Sequence, residues 1–233
     1  FYGIGAQIIS NLTQVQGSIA GAYAPAIARQ HIAGDREGLN ESFTRVSRWA
    51  ATILWPITFA VLFFRYEVLQ IWHATFAGAS LFMVVLALRP VINAGLGISG
   101  NIIVMTGHSL WNLFNSVTVG AINVGLNALL IPRYGLVGAA WATAISSLSV
   151  TGLQLIELYF ILGVRTLPSR LYKPYLAAAP GVVAVVLYAL GPSSLLERCL
   201  ACAASLLAYV GLLALLGLEQ EDREVFFKRW QKS

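Results

Sequence analysis

The sequence predicts an all-α membrane protein of about seven transmembrane helices, and three observations predict it. Only 11% of the 233 residues are charged while 58% are hydrophobic, whereas a soluble domain carries about 25% charged residues because its surface faces water. Apolar runs near the roughly 20 residues needed to span a bilayer recur from one end to the other. Basic residues collect in alternate separators between those runs, as the positive-inside rule demands. Strands are excluded by the same runs, which are too long for a barrel strand and do not alternate with period two.

The candidate spans cover residues 3–28, 49–71, 80–106, 109–131, 136–162, 174–191 and 195–217. Short breakers separate them: Gly34-Asp35, Ala77-Gly78, Thr106-Gly107, Pro132-Arg133-Tyr134-Gly135, Leu167-Pro168-Ser169 and Gly191-Pro192-Ser193-Ser194. The chain opens at Phe1, already inside an apolar segment and without a signal peptide. It reads as the later part of a longer protein.

Charge then sets the topology. Arg29, Arg36, Arg45 and Arg48 fall between spans one and two, and Arg165, Arg170 and Lys173 between five and six. Arg223, Lys228, Arg229 and Lys232 follow span seven, so eleven basic residues share one side if every span crosses once. Only Arg65, Arg133 and Arg198 fall on the other. The C-terminus is therefore expected in the cytoplasm and Phe1 near the outer face. The net charge of +5 is scattered through these loops and forms no stripe for nucleic acid.

Residues 35–48 mix acidic and basic side chains like a surface helix leading into a span. The stretch from Glu219 to Ser233 opens acidic and closes basic, the order a helix dipole favours, and reads as an interfacial amphipathic tail.

Several spans are too polar to be plain anchors. Gln7, Asn11, Gln14 and Ser18 share one helix face, and Arg89, Asn93, Gly97 and Asn101 step by four. Asn112, Asn115, Asn123 and Asn127 fall near one broad stripe. Such stripes are costly in lipid unless they face other helices or a watery cavity. The candidate substrate-binding residues are therefore Arg89, Asn93, Gln7, Asn11, Gln14, Asn101, Asn115 and Asn123. Arg89 has two readings: an anion-binding fork, or a structural partner for Glu157. Glu157 is in turn a coupling-ion candidate, for a proton or sodium, or an acid snorkelling at a span end.

Chemistry of other kinds finds little support. Cys199 and Cys202 lie in an apolar run with no further ligands, which suits packing rather than metal or redox work. Gly97-Ile98-Ser99-Gly100 resembles an intramembrane serine-protease string, but spans five to seven contain no His to serve as base. No metal site, cofactor or enzymatic activity is expected.

Span four carries a resemblance. The run from Asn127 through Pro132, Gly135, Gly138, Ala139 and Ala140 to Thr143 is similar to the Asn-x-x-Leu-Ile-Pro-x-x-Gly-x-x-Gly-Ala-Ala-x-Ala-Thr pattern of polysaccharide biosynthesis transporters. These are the lipid-linked oligosaccharide flippases of the multidrug/oligosaccharidyl-lipid/polysaccharide superfamily. Met105-Thr106-Gly107-His108, Ala24-Pro25-Ala26-Ile27-Ala28 with Gly34-Asp35, and Glu221-Asp222-Arg223-Glu224 also resemble segments of that family.

The resemblance implies a C-terminal transporter lobe over residues 1–163, with its first helix missing. Two additional transmembrane helices over 164–218 and a cytoplasmic tail over 219–233 would follow. It implies alternating access between two lobes of a bacterial inner-membrane flippase. The cargo would be a polyprenyl-diphosphate-linked oligosaccharide for envelope or exopolysaccharide synthesis. Its partners would be membrane lipids, and the polymerase and glycosyltransferases of the same pathway, with no nucleic acid. A cation-coupled drug extruder of the same superfamily and a non-transporting membrane scaffold are the alternative expectations.

Overall fold

A computed structural model of the chain describes residues 2–70, 84, 93, 96, 98–164, 171–190 and 194–216, with the backbone alone at 2–9, 68–70, 98, 189 and 190. Most of the third expected span, the 219–233 tail and Arg89 lie outside the described residues. The described elements are helices: α1 (Tyr2–Ile32), α2 (Arg36–Phe63), α3 (Arg65–Gln70), α4 (Ile98–Met105), α5 (Ser109–Leu162), α6 (Tyr172–Leu190) and α7 (Leu195–Leu215). Among the described residues there is no strand, and α2, α5 and α7 are long and apolar enough to cross a membrane. The chain is an all-helical membrane protein.

The expected surface helix over 35–48 is continuous with the span that follows it, so α2 runs for 28 residues without a break. Asp35 starts it by accepting the Gly38 backbone N–H at 2.9 Å, which satisfies one of the open donors of a first turn. At about 1.5 Å per residue such a helix outruns the roughly 30 Å hydrocarbon core. Its charged first turns are thus free to stand outside the lipid.

The breaker between spans four and five acts as expected, through one residue. Gly135 has φ 55° and ψ −133° inside the 54-residue α5, a left-handed conformation that side-chain-bearing residues avoid. The helix folds back there into two arms, 109–134 and 136–162. Asn123 donates to Ser146 Oγ at 3.1 Å and Asn115 to Glu157 at 2.7 Å. These partners step outward from the turn together, as in an antiparallel hairpin. A Cβ on Gly138 would collide with the Leu130 carbonyl, so the first turn after the bend requires a glycine for close packing.

Helices α6 and α7 form a second hairpin that packs on α2. An aromatic ladder joins them: Trp55 meets Tyr175 edge-on at 5.8 Å, Phe59 meets Tyr209 at 6.2 Å, and Phe63 meets Tyr188 at 6.1 Å. The Tyr209 hydroxyl donates to the Thr52 carbonyl at 3.1 Å, giving this buried ring's polar end a partner. Phe43, Phe59, Leu54 and Ile102 are fully buried at the centre, while Leu113, Phe114, Leu187, Leu200 and Leu207 point outward. Outward leucine and phenylalanine in such numbers suit a lipid solvent and would be an aggregation surface in water.

Two ends of the bundle can be told apart. His31 and His108 stand 6.2 Å apart, edge to face, and the Arg36 guanidinium lies beside Gly163. The loops after α1, α4 and α5 therefore share one end. Arg198 pairs with Glu67 at 2.9 Å, which places the start of α7 beside the end of α2 at the opposite end. This grouping is the one that alternate crossing requires.

Candidate functional site

A cavity of about 310 Å³ opens between α1, α4 and the two arms of α5. Its polar lining comes from Thr13, Gln16, Asn93, Asn101, Ser147, Thr151 and Gln154, with Gly17, Val119 and Val150 completing the wall. Four amide side chains and three hydroxyls in a bundle this apolar are costly unless hydrogen-bonded or wetted. Part of that demand is met internally. Gln16 Nε2 donates to the Asn93 carbonyl at 2.8 Å, and Thr151 Oγ1 lies 3.0 Å from Asn93 Oδ1. Asn93, just ahead of α4, is the hub on which α1 and α5 meet.

Periodicity explains how these residues gather. On α5, Ser147, Thr151 and Gln154 are spaced by four and three, so they share one face. On α1, Thr13, Gln16 and Gly17 do the same. Gly100 lets the wall close: a Cβ there would stand 2.7 Å from Gln154 Nε2. The Gln154 amide therefore lies against bare backbone.

The arrangement offers neutral donors and acceptors on several sides of an open cleft. That chemistry suits hydroxyl-rich or amide-bearing ligands, whose polar groups need matched partners once out of water. Among the described residues no group of His, Cys, Asp and Glu is placed to hold a metal ion.

Of the residues singled out in the sequence, Asn93 and Asn101 line this cavity. Asn11 and Gln14 are exposed on a different face of α1 from Gln16. The Gln7 and Arg89 side chains lie outside the described residues. Asn115 and Asn123 sit instead between the arms of α5. Asn115 is buried and donates to Glu157 Oε2 at 2.7 Å. Asn123 donates to Ser146 and accepts from Asn127 Nδ2 at 2.8 Å. Glu157 is 7% exposed, held between helices by Asn115 rather than reaching along a surface.

Thr13, Gln16, Ser147 and Thr151 complete the site without having stood out in the sequence. Their spacing was the available signal. Isolated serines and threonines inside apolar helices more often bond back to their own backbone, as Thr151 also does to the Ser147 carbonyl at 2.8 Å.

No known protein-family profile matches the chain, and no curated protein matches it. Among solved structures it is similar to the lipid II flippase MurJ in its inward closed conformation, with a TM-score of 0.60 and 12% sequence identity. The similarity covers 97% of this chain and 48% of that one, so the chain spans about half the length of the flippase it matches. The chain has the all-helical fold that makes up about half of that membrane transporter.

Proposed function

We propose that this chain forms the C-terminal lobe and two added helices of a flippase. Its substrate is a polyprenyl-diphosphate-linked oligosaccharide, turned across the bacterial cytoplasmic membrane for envelope or exopolysaccharide synthesis. The observation that carries the reading is the cleft of amides and hydroxyls between α1, α4 and α5, set in a bundle whose outward face is leucine and phenylalanine. Saccharide hydroxyls need neutral partners of that kind. The lipid tail needs an apolar path, which the outer faces of α6 and α7 supply.

Two further features support a transporter of two lobes. Asn11, Gln14 and Ser18 are exposed on α1, and a polar stripe facing lipid is unfavourable. A second lobe across a watery cavity gives that stripe its surroundings. Arg89, four positions before Asn93 in the sequence, is the proposed partner of the diphosphate, because a guanidinium binds phosphate through paired donors. The bias of basic residues toward alternate loops supports a cytoplasmic C-terminus. The polymerase and glycosyltransferases of the pathway are the proposed partners.

The test is genetic. Cells deleted for the whole gene should accumulate polyprenyl-diphosphate-linked glycan on the inner leaflet, and the restored gene should reverse it. Unchanged glycan together with new sensitivity to cationic drugs would replace this reading with drug extrusion.

A further inference from the structure

Where α2 ends and α7 begins, two arginines close on one tyrosine ring. The guanidinium carbon of Arg65 lies 4.5 Å from the centre of the Tyr66 ring, and that of Arg198 lies 5.5 Å from it. Arg65 is 2% exposed. It donates through Nη1 to the Leu62 carbonyl at 3.1 Å and through Nη2 to the Tyr66 hydroxyl at 3.3 Å. Contact with the aromatic ring offsets part of the cost of holding cations there. The acid of the cluster is Glu67, and both of its oxygens take one nitrogen. Arg198 Nη1 lies 2.9 Å from Oε1 and 3.0 Å from Oε2.

That pairing leaves part of the Arg198 fork unused. A guanidinium holds an oxyanion best through two parallel N–H bonds from one edge. Here Nη1 alone carries the bond to Glu67, while Nε is buried and has no hydrogen-bond partner. Buried donors without acceptors are rare in folded proteins and call for an explanation. Glu197, the neighbouring acid, is engaged elsewhere: its carboxylate accepts the Ser194 backbone N–H at 3.1 Å. A clasp between α2 and α7 therefore explains Nη1 but leaves Nε unexplained.

We propose that the Nε edge of Arg198, with Arg65 as second cation on the Tyr66 ring, binds the phosphate of a membrane lipid at the α2–α7 junction. Charge supports an anion there. With a phosphodiester in place, Arg65 and Arg198 are matched by Glu67 and the phosphate, and the buried Nε gains an acceptor. Position selects the source of that phosphate. Both α2 and α7 are long and apolar enough to cross a membrane. The cluster follows the end of one and opens the other, so it stands at a membrane surface, where a bilayer carries its headgroups. Leu195, Leu196 and Leu200, around Arg198 in sequence, are 54%, 70% and 62% exposed. A cationic fork beside outward leucines matches a phospholipid, with its headgroup at the arginine and its acyl chains along α7. The site stands whether or not the protein flips glycans.

Photocrosslinking of the whole protein in dodecyl maltoside, a detergent without phosphate, tests it. The probe is phosphatidylglycerol with a photoreactive group near the top of one acyl chain. Crosslinks mapped by mass spectrometry should fall on the first turns of α7 and the end of α2. Arg198→Lys keeps a charge beside Glu67 but loses the fork. It should lower crosslinking there about tenfold, the size expected for one lost hydrogen bond to a charged group. Glu67→Gln, which removes a competing anion, should crosslink at least as well as wild type.

Competition on the wild type identifies the group recognised without any substitution. Unlabelled phosphatidylglycerol should remove the crosslink, whereas diacylglycerol, which lacks the phosphate, should leave it. Displacement by diacylglycerol overturns the proposal, as does equal crosslinking in wild type and a folded Arg198→Lys protein. Inorganic phosphate, the same chemistry without acyl chains, should not displace the lipid. Displacement by it overturns the lipid assignment and gives the fork to a soluble phosphate. If Arg198→Lys folds poorly, the diacylglycerol competition decides alone.

Discussion

The side-chain amide of Gln154 lies against the bare backbone of Gly100, where a Cβ would stand 2.7 Å from Nε2. The contact joins α4 to the second arm of α5 at the cavity wall. Alanine at position 100 would force the amide to swing, because the obstructing atom is the end of a flexible side chain. Gly100→Ala should therefore leave abundance near wild type, helped by a helix propensity gain of up to about 1 kcal/mol, yet lower glycan export. Gly100→Leu should abolish export. Complementation of the deletion strain, with immunoblots for abundance, checks both.

Asn93 and Thr151 meet through side chains at 3.0 Å. Interhelical hydrogen bonds in membranes average about 0.6 kcal/mol in double-mutant cycles. A cycle of Asn93→Ala and Thr151→Val should return a coupling of that order in unfolding of the purified protein. A coupling indistinguishable from zero would show that the hub does not hold the cavity wall.

The docking of α6 on α2 depends on Gly181, where a Cβ would run into the Phe59 ring. Rings are rigid and buried here, so relief must come from backbone shifts. Gly181→Leu should cost about 1–3 kcal/mol or more by overpacking, read as a lower thermal midpoint. Phe59→Ala in the same chain should restore part of the loss, although alone it should destabilise by about 3–5 kcal/mol. Tyr209→Phe, which removes the hydroxyl bonded to the Thr52 carbonyl at 3.1 Å, should cost only about 1 kcal/mol.

Cysteine labelling reports the orientation. Cys199 is exposed, whereas Cys202 is buried one turn further along α7. Arg198, beside Cys199, pairs with Glu67 at the end of the bundle that the basic bias assigns to the outside. A membrane-impermeant maleimide added to whole cells should therefore label the Cys202→Ser protein and spare the Cys199→Ser protein. Labelling of Cys199 only after lysis would invert the topology.

Hydropathy alone exposes most of the helices. Pro132 and Gly135 announced the turn that splits α5, and Asp35 announced the start of α2, because capping and left-handed backbone have local chemical causes. The continuity of α2 through residues 36–63 was less legible. Its charged first turns and apolar remainder look like two segments when only composition is read, yet nothing in between breaks a helix.

The site was legible in kind and only partly in residue. A stripe of amides on α1 signals an unusual face, but spacing does not say which neighbour a face meets. Gln7, Asn11, Gln14 and Ser18 made the more regular stripe, while Thr13, Gln16 and Gly17 reach the cavity. Ser147 and Thr151 look like ordinary small packing residues until Asn93 is brought against them from a distant part of the chain. Glu157 stood out by charge alone. Its partner, Asn115, became identifiable only once Gly135 had folded the two arms together.

The proposed passage of a lipid-linked glycan through the amide-lined cavity can be measured in a purified system. The most direct measurement places the purified whole protein in liposomes holding a fluorescent polyprenyl-diphosphate disaccharide, with leaflet accessibility read by an added glycan-specific quencher. Accessibility should rise with protein content and fall sharply when Gln16 and Asn101 are both replaced by Leu. Flipping that is absent, or equally fast in the doubly substituted protein at equal reconstitution, would contradict it.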